Sequence, residues 1–371
     1  MSTLDQIAIS DRRIGAGYPP YVIAELSANH NGTIERAFAI IEAAKAAGAD
    51  AVKLQTYKAD SITIDHDGPG FRIESGPWAG RSLHDLYREA SMPWDWHAPL
   101  FAKARELGIV IFSSPFDEDA VELLEGLDAP AYKIASFEVV DLPLIQRVAA
   151  TGKPMIVSTG MATVEEIGEA VAAARGGGCR ELALLHCVSA YPAPPEDSNL
   201  RTIADMAERF NAVIGLSDHT LGTTVAVAAI AQGARIIEKH VTLLRDDGGP
   251  DSGFSLEPPE LRTLVESCRC AWEALGEVNY GVKASEADSK VFRRSLYAVD
   301  DIEEGEVFTN ANIRSIRPGY GLPPKYLPSL LGQTARKRIA RGTPINWSMA
   351  TNPGNEDVGP DALADTSSAE K

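Results

Sequence analysis

The sequence predicts an α/β chain, a (β/α)8 barrel followed by a small unit of another kind, and three observations carry that reading. First, one phrase recurs about eight times in roughly 260 residues, the number and size expected of such a barrel. The phrase is an Ala/Glu/Lys-rich helical segment, a short break often marked by Gly, and an apolar strand, as in AIIEAAKAAGADAVKLQ. Second, every one of these strands ends on polar side chains. Third, the phrase stops after Trp272, where polar and then turn-rich sequence takes over. A doubly wound sheet would use fewer parallel strands, and no glycine-rich dinucleotide fingerprint follows the first strand.

The strands follow in order from their apolar runs. The first, Tyr21–Ser27, ends on Glu25 and Ser27, with ANHNG after it. The second, Ala51–Gln55, puts Lys53 and Gln55 on one face. The third, Val110–Ser114, ends on Ser113 and Ser114, and the fourth, Ala131–Ser136, on Lys133 and Ser136. The fifth, Met155–Thr159, ends on Ser158 and Thr159. The sixth, Ala183–Val188, carries His186 and leads to Ser189. The seventh, Val213–Ser217, halts at Ser217, Asp218 and His219. The eighth, Arg235–Val241, puts Glu238 and His240 on one face and Lys239 on the other. One polar strand end is an ordinary cap or turn. Eight of them on one ring, the C-terminal rim where barrels of this type do chemistry, are better explained by a site.

The barrel is expected over residues 1–280, with a linker at about 273–290, LGEVNYGVKASEADSK. A second unit is expected over 291–350, with strand-like SLYAV and the turn-rich DDIEEGE and RPGYGLPPKYLPS. Between Arg293 and Ala350 nine basic residues face five acidic ones, a net +4 that leaves −21 on the remainder of a chain of net charge −17. The tail, 351–371, has little to bury and is expected to be disordered. An acidic surface disfavours nucleic acid and anionic membranes as partners. No apolar leader follows Met1, no run of about 18 apolar residues occurs, and Cys179, Cys187, Cys268 and Cys270 lack zinc or secreted-scaffold spacing. The expectation is a soluble, reduced, cytoplasmic protein.

Chemistry is expected at three places on the rim. His219 and His240, on neighbouring strand ends beside Asp218, Glu238 and Asp251, suit a divalent ion such as Mn²⁺, with Mg²⁺ or Co²⁺ as alternatives. Hydrogen-bonded structural histidines are the other reading, and zinc would want a third protein ligand that is not obvious. Lys53 and Lys133, with Ser114, Ser136, Ser158 and Ser217, suit a phosphate or carboxylate. A lysine Schiff base is the rival there. Glu25 suits a general acid or base, or else a buried ion pair with Lys53.

The motifs AELSANHNG, KLQTY, FSSPFD, AYKIAS, STGMAT, LLHCVSAYP, GLSDHT, EKHVT and GGPD, spread over Tyr21–Asp251, together resemble the sialic acid synthase family. That family condenses phosphoenolpyruvate with an acylamino sugar. GEVFTNANIRSIRPGYG and IARGTPI resemble its C-terminal antifreeze-like (SAF, β-clip) domain. Within the family, GPWAGRSLHDLY, SAYPAPPEDSNLRTI, DGGPDSGFSLEP, FRRSLY and IRPGYGLPPKYL resemble the pseudaminic acid synthase branch. The N-acetylneuraminate branch carries Asn where this chain has Ser189, and the loop between Thr63 and Arg81 departs from that branch too. The resemblance implies that His219 and His240 hold the metal. Lys53, Lys133, Ser114, Ser136, Ser158 and Ser217 would cradle phosphoenolpyruvate, with Gln55 beside Lys53. Glu25 would manage the proton of the attacking water. Ser189, Tyr191 and Asp251 would meet the sugar. It also implies a domain-swapped homodimer whose C-terminal lobe caps the partner's barrel, with Arg317 reaching the partner's sugar site.

Overall fold

The computed structural model describes residues 6–352, so all but the first two residues of the expected tail lie outside the described residues. The chain divides into two compact units, Met1–Gly276 and Glu277–Lys371.

The first unit opens with a hairpin of β1 (Gln6–Ile9) and β2 (Arg12–Gly15), paired antiparallel from Gln6↔Gly15 to Ile9↔Arg12. Sequence reading assigned no element here. Two four-residue strands joined through Ser10, at φ 54°, lack the Asn-Gly signal that marks a hairpin turn. Eight parallel strands then form a closed barrel: β3 (Tyr21–Glu25), β4 (Ala51–Thr56), β5 (Val110–Pro115), β6 (Tyr132–Ile134), β7 (Met155–Ser158), β8 (Leu182–Cys187), β9 (Val213–Ser217) and β10 (Ile236–His240), with β10 pairing both β9 and β3. All eight expected strands are present. β9 has its expected bounds, and the others differ by one or two residues at one end or, for β6, β8 and β10, at both.

Alternation along each strand sends one set of side chains outward and one inward. The outward set, among them Val22, Val52, Ile111, Met155, Leu184, Ile214 and Ile237, packs under helices such as Ile34–Ala47 and Pro258–Leu275. Low on the inward face, Ile23, Ala51, Phe112, Ala131, Ile156, Ala183, Val213 and Ile236 fill the barrel, and Ile7, Ile9 and Ile14 of the hairpin join them. This layer is dense. A Cβ on Gly215 would collide with Ile236 O and the Leu185 side chain, so β9 needs glycine where it crosses the interior. Helix starts are capped by short polar groups, with Asp117 accepting from Ala120 N, Asp141 from Leu144 N and Thr163 from Glu166 N. Each cap contributes about 1 kcal/mol and fixes where the preceding rim loop ends.

Between β4 and the helix His97–Leu107 the chain leaves the barrel as a strap over residues 57–90. It holds the helices Ala59–Ile62 and Leu83–Ala90 and a bridge between Arg72 and Ser82. Trp78 Nε1 ties it to the last rim loop by donating to Pro250 O at 2.8 Å. No helix among the described residues is long and apolar enough to cross a membrane.

In the second unit β11 (Ser295–Ala298) pairs antiparallel with β12 (Ile313–Ile316), and isolated bridges such as Ile302↔Ile339 and Ala335↔Ala350 complete a small β fold. Leu296, Ile302, Phe308, Ile313, Leu330, Ile339 and Ile345 form its core. Helix Pro258–Leu275 runs three residues into the expected linker, and a 3₁₀ turn occupies Ala284–Phe292.

Candidate active site

One layer above the apolar filling, the same inward face turns polar. β3, β4, β6 and β10 there present Glu25, Lys53, Lys133 and Glu238, all buried. Register puts Glu25 beside both His240 and Lys53, and Glu238 beside Ser217. Lys53 Nζ lies 2.6 Å from Glu25 Oε2 and 3.8 Å from Glu238 Oε1, and donates to Ser114 Oγ at 3.3 Å. Lys133 Nζ is 3.3 Å from Glu238 Oε1, which also accepts from Ser217 Oγ at 3.1 Å. Two ammonium and two carboxylate groups thus share one buried space.

Their environment pushes them apart. Burial drives Glu25 up to about 7, with Glu238 adding to the rise and Lys53 opposing it. Burial also works against charge on Glu238, but Lys133 and Lys53 outweigh it and hold that carboxyl below its ordinary value. Burial lowers Lys133. Lys53, equally buried, is raised because Glu238 and Glu25 both favour its charged form. The ion-pair reading of Glu25 with Lys53 therefore describes the geometry. Neither Glu25 nor Ser114 is on the wall of the cavity above; both stand behind Lys53.

That cavity, about 920 Å³, is lined by Lys53, Gln55, Lys133, Ser136, Ser158, Ser189, Tyr191, Ser217, His219, His240 and Asp251, so the mouth brings these expected residues together. Their hydrogen bonds differ. Ser136 and Ser189 hydroxyls share a hydrogen bond at 2.8 Å, while the buried Ser158 Oγ has no partner. Gln55 Nε2 donates to Glu25 Oε1 and to Ser27 Oγ, and Ser27 Oγ donates to Asp251 Oδ2 at 2.5 Å. Ser27 sits at φ 45°, a left-handed conformation that costs a non-glycine residue and gathers at functional turns. Arg317 belongs to the second unit, at the end of β12.

The two histidines keep ring nitrogens unspent. His219 Nδ1 lies 2.8 Å from Val188 O and so donates its proton there, leaving Nε2 with a free lone pair. His240 Nδ1 is buried without a hydrogen-bond partner, 3.9 Å from Asp251 Oδ2. The rings lie 5.5 Å apart. Burial lowers His219 to about 4 and His240 well below its ordinary value, so both are neutral near pH 7. Neutral imidazoles with unspent nitrogens on a polar cavity wall fit a divalent cation. Among the described residues no three His, Cys, Asp or Glu side chains converge as a complete ligand set, so water or substrate would fill the other positions. Asp218 faces away: it accepts from Thr220 N and Lys239 Nζ, a buried strut beneath the two histidines.

Sequence reasoning missed Glu138. It sits in the turn after β6, where no strand pattern draws attention, yet it lines the cavity. Its Oε2 is buried without a hydrogen-bond partner, and burial pushes its pKa up to about 7. An acid two residues beyond Ser136 on a polar strand end was the available signal.

Residues 40–280 match the NeuB family and residues 293–351 the SAF domain. The pseudaminic acid synthase of Campylobacter jejuni (strain 81-176) is 44% identical over 88% of this chain and 96% of its own. That of Helicobacter pylori is 43% identical over 88% and 97%. The crystal structure of N-acetylneuraminic acid synthetase from Leptospira borgpetersenii, in complex with citrate, is similar at TM-score 0.70 and 30% identity, covering 77% of this chain and 95% of that one. The fold is thus similar to that of a solved synthetase, and the chain belongs to the NeuB family, with a SAF domain at its C-terminal end.

Proposed function

We propose that this enzyme is a pseudaminic acid synthase, condensing phosphoenolpyruvate with 2,4-diacetamido-2,4,6-trideoxy-L-altrose to give pseudaminic acid and phosphate. The observation that carries the reading is the mouth itself: two buried lysines facing two neutral histidines across one cavity, in a chain 44% identical to a pseudaminic acid synthase.

Lys53 and Lys133 bind the phosphate and carboxylate, exchanging their contacts with Glu238 for the substrate's oxygens, and Ser136 and Ser158 supply donors. His219 and His240 would hold a divalent ion, Mn²⁺ first and Mg²⁺ or Co²⁺ as alternatives, which when bound supplies positive charge to polarise a carbonyl. C3 of phosphoenolpyruvate attacks the sugar aldehyde, and the cation that develops at C2 would be met by the carboxyl groups of the wall, Glu138, Glu238 and Asp251. Water adds at C2, and phosphate leaves by C–O cleavage. Glu138, which lines the cavity, is assigned that water's proton in place of Glu25, which is off the cavity wall and engaged with Lys53 and Gln55. Asp251, Tyr191 and Ser189 meet the sugar's hydroxyl and amide groups. Incubation with phosphoenolpyruvate, Mn²⁺ and the altrose should release phosphate, with ¹⁸O from water entering the product and not the phosphate. A higher kcat/KM with N-acetylmannosamine or the legionaminate precursor would instead assign the enzyme to that branch. The lowered Lys133 supports a lysine Schiff-base aldolase as the second reading. Borohydride trapping with pyruvate would support it.

The assembly proposed is a domain-swapped homodimer. Phe137, Met161, Leu221 and Leu244, on four rim loops, are 46–70% exposed, an apolar fringe that a partner's C-terminal lobe would cover while Arg317 reaches the sugar. Mixing inactive His240→Ala with inactive Arg317→Ala subunits should restore turnover, since a mixed dimer holds one intact site. No recovery on exchange of subunits would reject the swap.

A further inference from the structure

The two histidines that would hold the metal each follow a charged residue that points the other way. Asp218 precedes His219 and Lys239 precedes His240; both are buried, and neither lines the cavity. Lys239 Nζ donates to Asp218 Oδ2 and to Thr220 O, each at 2.6 Å. Asp218 Oδ1 in turn accepts from Thr220 N at 2.9 Å and from Thr220 Oγ1 at 2.8 Å. One ammonium, on the residue next to His240, therefore grips the residue on each side of His219.

Backbone pairing of β9 with β10 runs through Ile237↔Leu216 and Glu238↔Ser217, and Asp218 N donates to Glu238 O at 2.9 Å. His219 and His240 lie past these contacts, where the ion pair ties the two strand ends together. The fold does not require charge there. Ile237 and Val241, on the same face of the strand as Lys239, belong to the apolar core, as does Leu216 on the Asp218 side. A buried ion pair roughly breaks even against apolar packing, so an aliphatic pair would serve stability about as well. What the charged pair adds is direction, because a fully bonded buried network fixes one arrangement that apolar contact would leave looser.

We infer that the Asp218–Lys239 pair is a positioning element for the metal: it sets the 5.5 Å spacing of the His219 and His240 rings, and through that spacing the affinity for a divalent cation. The inference rests on the proposed metal site and deepens it, because the two residues act from the far side of the strands and touch neither cavity nor substrate. Groups that orient a ligand from behind are a usual lever on metal affinity.

The test measures Mn²⁺ affinity on the full-length enzyme after chelation, with free Mn²⁺ read by electron paramagnetic resonance. Lys239→Met should weaken Mn²⁺ binding by roughly 10- to 100-fold, with KM for phosphoenolpyruvate at saturating Mn²⁺ unchanged. The methionine leaves Asp218 buried without a counter-charge, so the single variant is at risk of unfolding. Lys239→Met combined with Asp218→Asn removes that charge and gives the same reading. Ile9→Ala, in the apolar filling low in the barrel, controls for mere loss of stability and should bind Mn²⁺ within about twofold of wild type. Wild-type affinity in a folded strut variant, or equal weakening in Ile9→Ala, would overturn the inference. Failure of the wild type to bind Mn²⁺, or unchanged binding by both His219→Ala and His240→Ala, would instead reject the histidine metal site, and the strut's role with it.

Discussion

The lower and upper halves of the barrel interior are built from the same strands, and on β3, β4, β6, β7 and β10 the change between them takes one step of alternation. Ile23 gives way to Glu25, Ala51 to Lys53, Ala131 to Lys133, Ile156 to Ser158 and Ile236 to Glu238. Below, burial of each large aliphatic side chain contributes about 1.5–3 kcal/mol. Above, desolvation of four ionisable groups offsets most of what their pairing returns, since buried ion pairs roughly break even against apolar packing. The difference teaches that stability and chemistry are separated by height along the strands. The hairpin β1–β2 sharpens the division, adding Ile7, Ile9 and Ile14 to the apolar end.

Two substitutions should break the comparison in opposite directions. His240→Ala removes a cavity-wall imidazole whose Nδ1 has no hydrogen bond to lose. We expect kcat/KM to fall by ~10³-fold, about 4 kcal/mol, with thermal stability changed by less than about 1 kcal/mol. Ile9→Ala, at the far end and fully buried, should cost about 2–4 kcal/mol of stability, with KM for phosphoenolpyruvate within twofold of wild type. Denaturant unfolding and steady-state kinetics on both proteins give the four numbers. A variant that lost stability and activity together would erase the separation.

Much of this division was legible in the sequence. Apolar runs, often preceded by glycine, placed all eight strands, and the period-two pattern within them told Lys53 from Leu54 and His240 from Lys239. The candidate site was legible where strand ends carried it, which is why Lys53, Lys133, His219 and His240 meet as expected. What alternation cannot show is which neighbour a polar group ends up against. Ser217 reads as a phosphate donor but spends its hydroxyl on Glu238, and Ser114 takes its hydrogen bond from Lys53. Glu138 was hidden because a turn has no period. The strap was hidden for the same reason, since its apolar residues face a cavity rather than a core.

A smaller effect would sharpen the comparison, because it separates one carboxyl of the mouth from the rest. Glu138 is raised from its ordinary 4.5 to about 7 by burial. Below pH 4.5 it is protonated in the folded and unfolded chain alike, and it contributes no pH dependence. Between pH 4.5 and 7 the unfolded chain releases this proton while the folded protein keeps it. The unfolded state then binds fewer protons, so stability falls as pH rises, by at most about 1.4 kcal/mol per pH unit for one group. Glu25 acts with the same sign, so Glu138→Gln should lessen the slope rather than abolish it. The stability difference between variant and wild type should therefore move in the variant's favour from pH 4.5 to 7 and level off above. Turnover should run the other way, because a base must be ionised to accept water's proton: wild-type kcat/KM should climb through about pH 7. A stability difference that stays flat across that window would mean that Glu138 titrates as an ordinary surface carboxyl. The proton of the attacking water would then have to go elsewhere in the mouth, to Glu25 behind Lys53.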